Sequence, residues 1–338
     1  MFVSQKCYQN VLAIILIALL ASSFVLVQPG YSTIITSNNG SNTSSSSSNN
    51  QDVSKEVFVV DYANIRIQKF DTDGKFITKW GTEGDAKGQF KIPHSVAVDS
   101  SGIVYVTDMI DLSVKKFTGD GKFITKWGSK GSGNGEFRHP HGIAIDSSGN
   151  VYVTDMTNLN IQKFAAADGK FITSWGSKGD GNGKFMAPEG IAADRFGNIF
   201  VSDTANNNIQ KFAAADGKFI TKWGSKGDAK GQLNSPTGID VDSSGNLYVA
   251  DDGNSRIQKF TNNGDFITMW GSKGSKNGQL DRPHDIVVDS SGNNDVYVAE
   301  QGNFQIQKFT ADGKFITKWG TEGADDDQFQ DPHSVAVY

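Results

Sequence analysis

From residue 57 onward, short apolar runs alternate with short polar segments, and the same succession returns along the chain. One unit can be followed from Pro140, where the runs PHGIAI, VYVTD, IQKF and FITSWG are separated by DSSGN, MTNLN and AAADGK. Short runs rich in β-branched and aromatic residues, bounded by Gly, Asn and Asp, are typical of β-strands. Each unit is therefore predicted to contain four strands, which we label a to d.

The first and last strands of a unit differ in their patterns. Strand a is apolar on both faces, as expected for a strand inside a sheet that lies between two others. Strand d alternates apolar with polar residues and carries lysine, as expected at an outer edge. The a–b and c–d connections are tight Asp/Ser/Gly turns, whereas the b–c and d–a connections are longer and more varied. The long loops are therefore predicted to share one face, which we call the loop face.

Six repeats are counted by tryptophan. Every tryptophan is followed by glycine, a proline stands thirteen residues later, and successive tryptophans are 47 to 49 residues apart. A period of this length with turn residues at fixed offsets indicates a propeller or a related array. The six are Trp80, Trp127, Trp175, Trp223, Trp270 and Trp319.

The repeats begin with a strand b at 57–61 and end with a strand a at 333–338. The last strand can therefore complete the first blade and close the ring, which removes open ends. The predicted fold is all-β: a six-bladed β-propeller of four-stranded antiparallel blades over residues 57–338, most simply a monomer.

The N-terminal segment predicts export. Residues 11–27 are almost uniformly apolar, and residues 1–31 fit either a cleaved signal peptide or an uncleaved membrane anchor. Residues 32–56 are rich in Ser and Asn and are predicted to be a disordered linker, with glycosylation sequons at Asn39 and Asn42. We therefore expect the propeller outside the cell or at its surface, with membrane contact only through the N-terminal segment.

The net charge bears on possible partners, and the cysteine content bears on what stabilises the fold. The net charge is -5, so no general attraction to nucleic acid is expected. The one cysteine, Cys7, precedes the apolar run. The predicted propeller therefore contains no disulfide, and its stability has to come from burial and strand pairing.

The patterns P-x-G-I-A-x-D, V-Y-V-x-D, N-x-x-I-Q-K-F and G-K-F-I-x-x-W-G resemble the NHL repeat over residues 57–338. That family includes six-bladed propellers in ubiquitin-ligase and RNA-binding proteins, in the peptidyl-α-hydroxyglycine α-amidating lyase and in exported microbial proteins. The resemblance implies the fold, but one scaffold hosts unrelated functions.

The residue after each repeat proline is predicted to lie near the axis on the loop face. Imidazole and carboxylate groups converging there are suitable ligands for Zn²⁺. Alternate blades would group His94, Glu189 and His284 in one candidate metal site, with His141 and His333 in a second set; without a metal, these imidazoles would simply pack. In ring order from blade 2, the residues are His94, His141, Glu189, Thr237, His284 and His333.

The resemblance to the amidating lyase implies zinc held by histidines in P-H-G, P-H-S and P-H-D contexts, together with an arginine and a tyrosine in b–c loops. Here the P-H contexts are present, and Tyr62 supplies the tyrosine as a candidate acid or base. No arginine directly follows a strand-b acid. This departure makes a zinc-dependent lyase the alternative hypothesis.

The leading hypothesis is a non-catalytic module that recognises an extracellular protein, peptide or glycan through the loop face. Tyr62, Met109, Met156 and Phe304 interrupt otherwise polar b–c loops and are the candidate contacts. An acid also ends every strand b and is predicted to close the b–c turn through hydrogen bonds. These acids are Asp61, Asp108, Asp155, Asp203, Asp251 and Glu300.

Overall fold

Residues 55–338 are described by a computed structural model as six four-stranded sheets in which antiparallel strands follow the order a-b-c-d. The predicted export segment, most of the linker, Asn39 and Asn42 lie outside the described residues. Within 55–338, no helix has the length and apolarity needed to cross a membrane. The all-β, six-bladed prediction is confirmed.

Each blade supplies its strands in the predicted order. Strands a to d span Pro332–Val337, Glu56–Asp61, Arg66–Asp71 and Phe76–Trp80 in blade 1, Pro93–Val98, Val104–Asp108, Ser113–Phe117 and Phe123–Trp127 in blade 2, and Pro140–Ile145, Asn150–Asp155, Asn160–Ala165 and Phe171–Trp175 in blade 3. They span Pro188–Ala193, Asn198–Asp203, Asn208–Ala213 and Phe219–Trp223 in blade 4, Pro236–Val241, Leu247–Asp251, Arg256–Phe260 and Phe266–Trp270 in blade 5, and Pro283–Val288, Val296–Glu300, Gln305–Phe309 and Phe315–Trp319 in blade 6. A 3₁₀ turn at Asp252–Asn254 lies in the b–c loop of blade 5.

The ring closes through the two ends of the repeat region, as predicted. The last strand, Pro332–Val337, pairs antiparallel with Glu56–Asp61. Glu56 and Tyr338 exchange two backbone hydrogen bonds of 3.0 and 3.1 Å. Each strand a also lies beside the strands a of both neighbouring blades, and blade 6 meets blade 1 in the same way. The C-terminal strand thus completes both the first sheet and the circle.

Blades pack face to face through repeated apolar contacts. Strand b is fully buried in each blade except for the first residue of some strands, whereas the isoleucine of each FIT sequence in strand d is exposed. The tryptophan that ends strand d lies against the c–d turn of the next blade, where only glycine fits. A Cβ at Gly169, for example, would stand 2.6 Å from the ring of Trp127, and its φ of +69° disfavours other residues. The inter-blade contact therefore explains the fixed spacing of W-G and D-G along the sequence.

The acid at the end of strand b joins two loops of its blade. In blade 3, the Asp155 carboxylate accepts hydrogen bonds from the backbone N–H groups of Arg138 and His139 in the d–a loop, at 2.8 and 3.1 Å. It also accepts bonds from the backbone and side chain of Asn158 in the b–c loop, at 2.8 and 3.0 Å. Its counterparts in the other blades are likewise fully buried and accept bonds from the d–a loop. These acids therefore anchor the d–a loop as well as the b–c turn.

At the axis, the strands a of neighbouring blades approach closely where the second residue after proline is glycine. A Cβ at Gly142 would collide with the carbonyl oxygen of Glu189, and one at Gly190 would collide with that of Thr237. Absence of a side chain at these two positions sets the narrow diameter of the central channel. The residues that directly follow the prolines are consequently pressed together.

Candidate functional site

The six residues that follow the repeat prolines converge at the loop-face end of the channel. Neighbouring imidazoles are in contact, with ring centroids 3.6 Å apart for His94 and His141, 4.1 Å for His94 and His333, and 3.9 Å for His284 and His333. We call this set the mouth ring, and it closes one end of the channel. Its members are His94, His141, Glu189, Thr237, His284 and His333.

An ion pair crosses the mouth ring between alternate blades. His284 Nε2 lies 3.1 Å from Glu189 Oε1, and its Nδ1–H donates to the carbonyl oxygen of His333 at 3.0 Å. Burial alone would lower the pKa of His284, but the hydrogen bond and charge of Glu189 outweigh it and raise that pKa. Burial would likewise raise the pKa of Glu189, but His284 outweighs it and lowers that pKa. The pair is therefore an imidazolium and a carboxylate at neutral pH.

The other three histidines of the mouth ring are neutral. Burial is the main cause that lowers the pKa of His94, His141 and His333, and it brings the pKa of His141 to about 3. The Nδ1 atom of each of the three is buried without a hydrogen-bond partner. Unpaired buried nitrogens of this kind disfavour protonation. The mouth ring therefore combines one cation, one anion and three neutral imidazoles.

Tyr62 covers this ring from the b–c loop of blade 1. Its ring stacks on His333 at a centroid distance of 5.0 Å and an interplanar angle of 24°, and it meets His94 edge-on at 6.1 Å. Burial, followed by the charge of Asp331, raises the pKa of the Tyr62 hydroxyl. That hydroxyl is consequently protonated at neutral pH and can donate a hydrogen bond, but it is a weak base.

The arrangement of the mouth ring does not match a zinc site. Glu189 and His284 are bonded to each other, and the rings of His94 and His284 are 6.3 Å apart. The void that these side chains border has a volume of about 20 Å³, which is enough for one water molecule. Among residues 55–338, no three or more His, Cys, Asp or Glu side chains are grouped so that they could hold a metal ion. The mouth ring as it stands thus does not present three free ligands to one metal ion.

The predicted contact residues lie on or near the loop face, and none is fully exposed. Met109 and Met156 are half-buried and begin the b–c loops of blades 2 and 3. Phe304 ends the b–c loop of blade 6 with a φ of +54° and is half-buried. The large exposed apolar side chains of this face are instead Ile110 and Met186, at 53% and 42% exposure.

The sequence signals Ile110 and Met186 only through a comparison of equivalent positions between blades. Ile110 is the second residue after the strand-b acid, where the other five blades have Ala, Thr or Gly. Met186 is the second residue before the repeat proline, where the other blades have Lys, Arg, Asn, Asp or Gln. These departures from the repeat give blades 2 to 4 the exposed apolar side chains of the loop face, and we call this the apolar half. It also carries two basic residues, Lys91 and Arg138, at the position of Met186 in blades 2 and 3.

The opposite half of the loop face, in blades 5, 6 and 1, is acidic. Asp252 and Asp281 lie in blades 5 and 6, and Asp331 lies in blade 1 beside the exposed run 325–327. Burial raises the pKa of both Asp252 and Asp331. Two charges of opposite sign stand among them: Arg282 lies in blade 6 and donates to Gln301, and Lys79 pairs with Asp326 at 2.8 Å. The face is therefore divided into an apolar half and an acidic half.

Comparison with known proteins identifies the class. The family model of the NHL repeat matches residues 137–164 and 233–260. Among curated proteins, peptidyl-glycine alpha-amidating monooxygenase from Mus musculus is 51% identical over 47 residues, which are 12% of this chain and 5% of that protein. The enzyme from Rattus norvegicus is 49% identical over the same length and shares. The chain thus spans only a small part of these relatives.

Solved structures resemble the chain in fold alone. A catalytically inactive virginiamycin B lyase from Staphylococcus aureus with quinupristin has a TM-score of 0.55 and 19% identity, covering 77% of this chain and 79% of the other. The nidogen/laminin complex has a TM-score of 0.60 and 17% identity, covering 84% of this chain and 98% of the other. A protein of unknown function from Bacteroides caccae has a TM-score of 0.62 and 14% identity, with the same coverage of both chains. The chain contains NHL repeats, and its six four-stranded units close into a β-propeller.

Proposed function

We propose that this propeller is a recognition module that binds a protein or peptide segment across its loop face. The observation that carries the proposal is the division of that face into an apolar half and an acidic half. Apolar side chains that depart from the repeat, Ile110 and Met186, have no role in the repeated inter-blade packing. Both lie in loops that a rigid scaffold holds, and such loops commonly carry the binding residues of a protein. If the N-terminal segment directs export, the partner is extracellular or at the cell surface.

The chemistry of the two halves defines the partner. Methionine side chains adapt to differently shaped apolar groups. Met109 lies next to Ile110 in blade 2, and Met156 lies in blade 3, the neighbour of the blade that carries Met186. The carboxylates of blades 5, 6 and 1 favour lysine or arginine on the partner. A glycan would lack both features, so the face favours a peptide with an apolar segment and a basic segment.

Selection from a peptide display library against the full-length protein tests this proposal. The enriched peptides are expected to combine apolar residues with Lys or Arg. The double variant Ile110→Ala, Met186→Arg carries the residues of other blades, and it is expected to bind a selected peptide at least tenfold more weakly. The matched control Ile77→Thr changes an exposed isoleucine of strand d and should leave binding unchanged.

Two outcomes would contradict the loop-face proposal. One is that no peptide is enriched over the starting library. The other is that the double variant and the Ile77→Thr control bind the selected peptides as tightly as the unaltered protein does.

A zinc-dependent lyase is the second candidate function. It is favoured by the 47-residue match to the amidating enzymes and by the unpaired Nδ1 atoms of His94, His141 and His333. Elemental mass spectrometry of the full-length protein separates the two proposals, with the double variant His94→Ala, His284→Ala as control. We expect substoichiometric metal that is the same in both proteins. Near-stoichiometric zinc that is lost in the variant would instead support the lyase and direct assays to α-hydroxyglycine peptides.

A further inference from the structure

A second cavity occupies the channel below the mouth ring. It has a volume of about 440 Å³ and is lined by strand a of the blades and by a–b turns, including Asp99, Ser100 and 289–291. It therefore reaches the face opposite the loop face, while the buried mouth ring closes its inner end. Ligand pockets in proteins commonly have volumes of about 300–1,000 Å³. We call this space the lower channel.

The strand-a walls of the lower channel are mostly apolar away from the a–b turns, where Asp99, Ser100 and 289–291 line its open end. The fourth residue after the repeat proline faces this space, and in five blades it is alanine or valine. Blade 5 has Asp240 at that position. Blade 6 departs from the repeat as well, because its second residue after proline is Asp285, where the other blades have Gly or Ser. Blades 5 and 6 thus place two carboxylates among the apolar strand-a walls, in addition to those of Asp99 and Asp289 at the open end.

Backbone groups hold both carboxylates in place. Asp240 Oδ2 accepts a hydrogen bond of 2.7 Å from the N–H of Val288. Asp285 accepts bonds of 2.9 Å from Ile286 and 3.0 Å from Val335. Its Oδ1 atom also occupies the space that a Cβ at Gly238 would fill. The two side chains are therefore positioned by three different blades.

No lysine or arginine pairs with them; the imidazolium of His284, which is bonded to Glu189 in the mouth ring, is the charge of opposite sign that acts on Asp285. The residues that line the lower channel include no Lys, Arg or His. Within residues 55–338, the ion pairs of basic side chains involve neither Asp240 nor Asp285. A carboxylate in an apolar site is stabilised when a cation enters with it. Among the described residues, Asp240 has no basic partner, so the cavity would accept a ligand that carries a positive charge.

We propose that the lower channel binds a small organic cation, with an ammonium group between Asp240 and Asp285 and an apolar body against the alanine and valine walls. An ammonium has three donors, which suits two carboxylates on neighbouring strands. The apolar remainder gains by burial of its surface. This site lies on the other side of the mouth ring from the loop face, so it does not depend on peptide recognition there.

The ionisation of Asp240 adds a dependence on pH. Burial raises the pKa of Asp240 to about 7; the Val288 N–H opposes this shift, and the charges of Asp285 and Asp242 reinforce it. Tyr248, which pairs with Asp240 across strands a and b of blade 5, donates its hydroxyl to Asp242. A protonated Asp240 attracts an ammonium less than its carboxylate does. Affinity should therefore increase by about tenfold from pH 6 to pH 8, a range in which an alkylammonium keeps its charge.

Calorimetric titration of the full-length protein with hexylamine, 1-hexanol and hexanoate tests the proposal. Hexylamine is expected to bind at least tenfold more tightly than hexanol, and hexanoate more weakly than either. Asp240→Ala introduces the residue of four other blades and should reduce hexylamine affinity at least tenfold. Asp285→Ser should also weaken binding, whereas Asp312→Asn, in an exposed c–d turn, should not.

Thermal unfolding shows whether the Asp240→Ala variant is folded, so that a loss of hexylamine binding is not mistaken for misfolding. Asp240→Ala removes a carboxylate from an apolar cavity, so its Tm at pH 8 should equal or exceed that of the unaltered protein. Equal affinity for hexylamine and hexanol would overturn the proposal, as would unchanged hexylamine binding by the Asp240→Ala variant. Binding of Ca²⁺ without any binding of hexylamine would overturn it too.

Discussion

A chain that ends at Asp331 is expected to lose the folded propeller. The missing strand pairs with all of strand b in blade 1 except its first residue, and its own residues Ser334, Val335 and Ala336 are 5% exposed or less. Its removal would leave the buried backbone groups of 57–61 without partners, each at a cost of about 1–3 kcal/mol. It would also break the contacts of blade 1 with blades 2 and 6. The sum exceeds the usual stability of a domain, about 5–15 kcal/mol.

Circular dichroism and size-exclusion chromatography would measure the loss as a missing cooperative transition and an increased elution radius. A circular permutant provides the control: residues 332–338 are placed before Glu56 and joined to it by the turn DSSG found in other blades. Since Glu56 and Tyr338 are already hydrogen-bonded neighbours, the permutant should fold. A truncated chain that unfolds cooperatively, at the denaturant concentration of the full protein, would show that closure by this strand is dispensable.

Stability is expected to fall steeply as the pH decreases below 6.5. His94, His141 and His333 have lowered pKa values in the folded protein, so below pH 6.5 they bind protons only when the chain unfolds. Each such group reduces the free energy of unfolding by up to about 1.4 kcal/mol per pH unit. Three together reduce it by up to about 4 kcal/mol per unit, and Asp240, whose raised pKa of about 7 lets the folded protein bind a proton first, offsets about 1.4 kcal/mol per unit of that fall. Denaturant unfolding at pH 7, 6 and 5 measures this slope.

The ion pair has a different pH dependence. The raised pKa of His284 means that its contribution is present below pH 6.5 and is lost as the pH rises through the raised value. The lowered pKa of Glu189 gives a contribution that is present above its unfolded pKa and lost as the pH falls through the lowered one. The pair therefore adds no loss of stability between pH 6.5 and 5.

Substitution separates these contributions. His141→Thr places in the mouth ring the residue that blade 5 already has there, and it should flatten the slope between pH 6.5 and 5 by up to about 1.4 kcal/mol per pH unit. His139→Thr changes a half-buried histidine outside the ring and should flatten the slope less. A slope that is identical in both variants and in the unaltered protein would mean that the mouth-ring imidazoles are protonated in the folded state.

The number of blades, the order of strands and the closure of the ring were predictable from the sequence, because each depends on a local pattern repeated at a fixed interval. The convergence of the residues after proline was predictable for the same reason. The direct contact between Glu189 and His284 was not, because it depends on the channel diameter. Gly142 and Gly190 set that diameter through contacts between blades, and no spacing along the chain encodes a distance across the axis.

Other features were present in the sequence as departures from the repeat. Asp240, Ile110 and Met186 each differ in chemistry from the residues at the same position in the other blades. Average patterns conceal such differences, since a repeat is recognised by what its units share. The strand-b acids show a different limit. Their recurrence indicated a structural role, but the local pattern did not identify their bonds to the d–a loop, because these bonds join residues about sixteen positions apart.

The salt bridge across the channel also affects how the ring comes apart. Most interactions in a repeat protein link adjacent units, so its unfolding can be described by a chain of nearest-neighbour couplings. His284 and Glu189 instead connect blades 6 and 4 over the intervening blade 5. Blade 5 therefore cannot detach without straining the bond between its two neighbours. A statistical description of unfolding needs a coupling between blades 4 and 6 in addition to the couplings between adjacent blades.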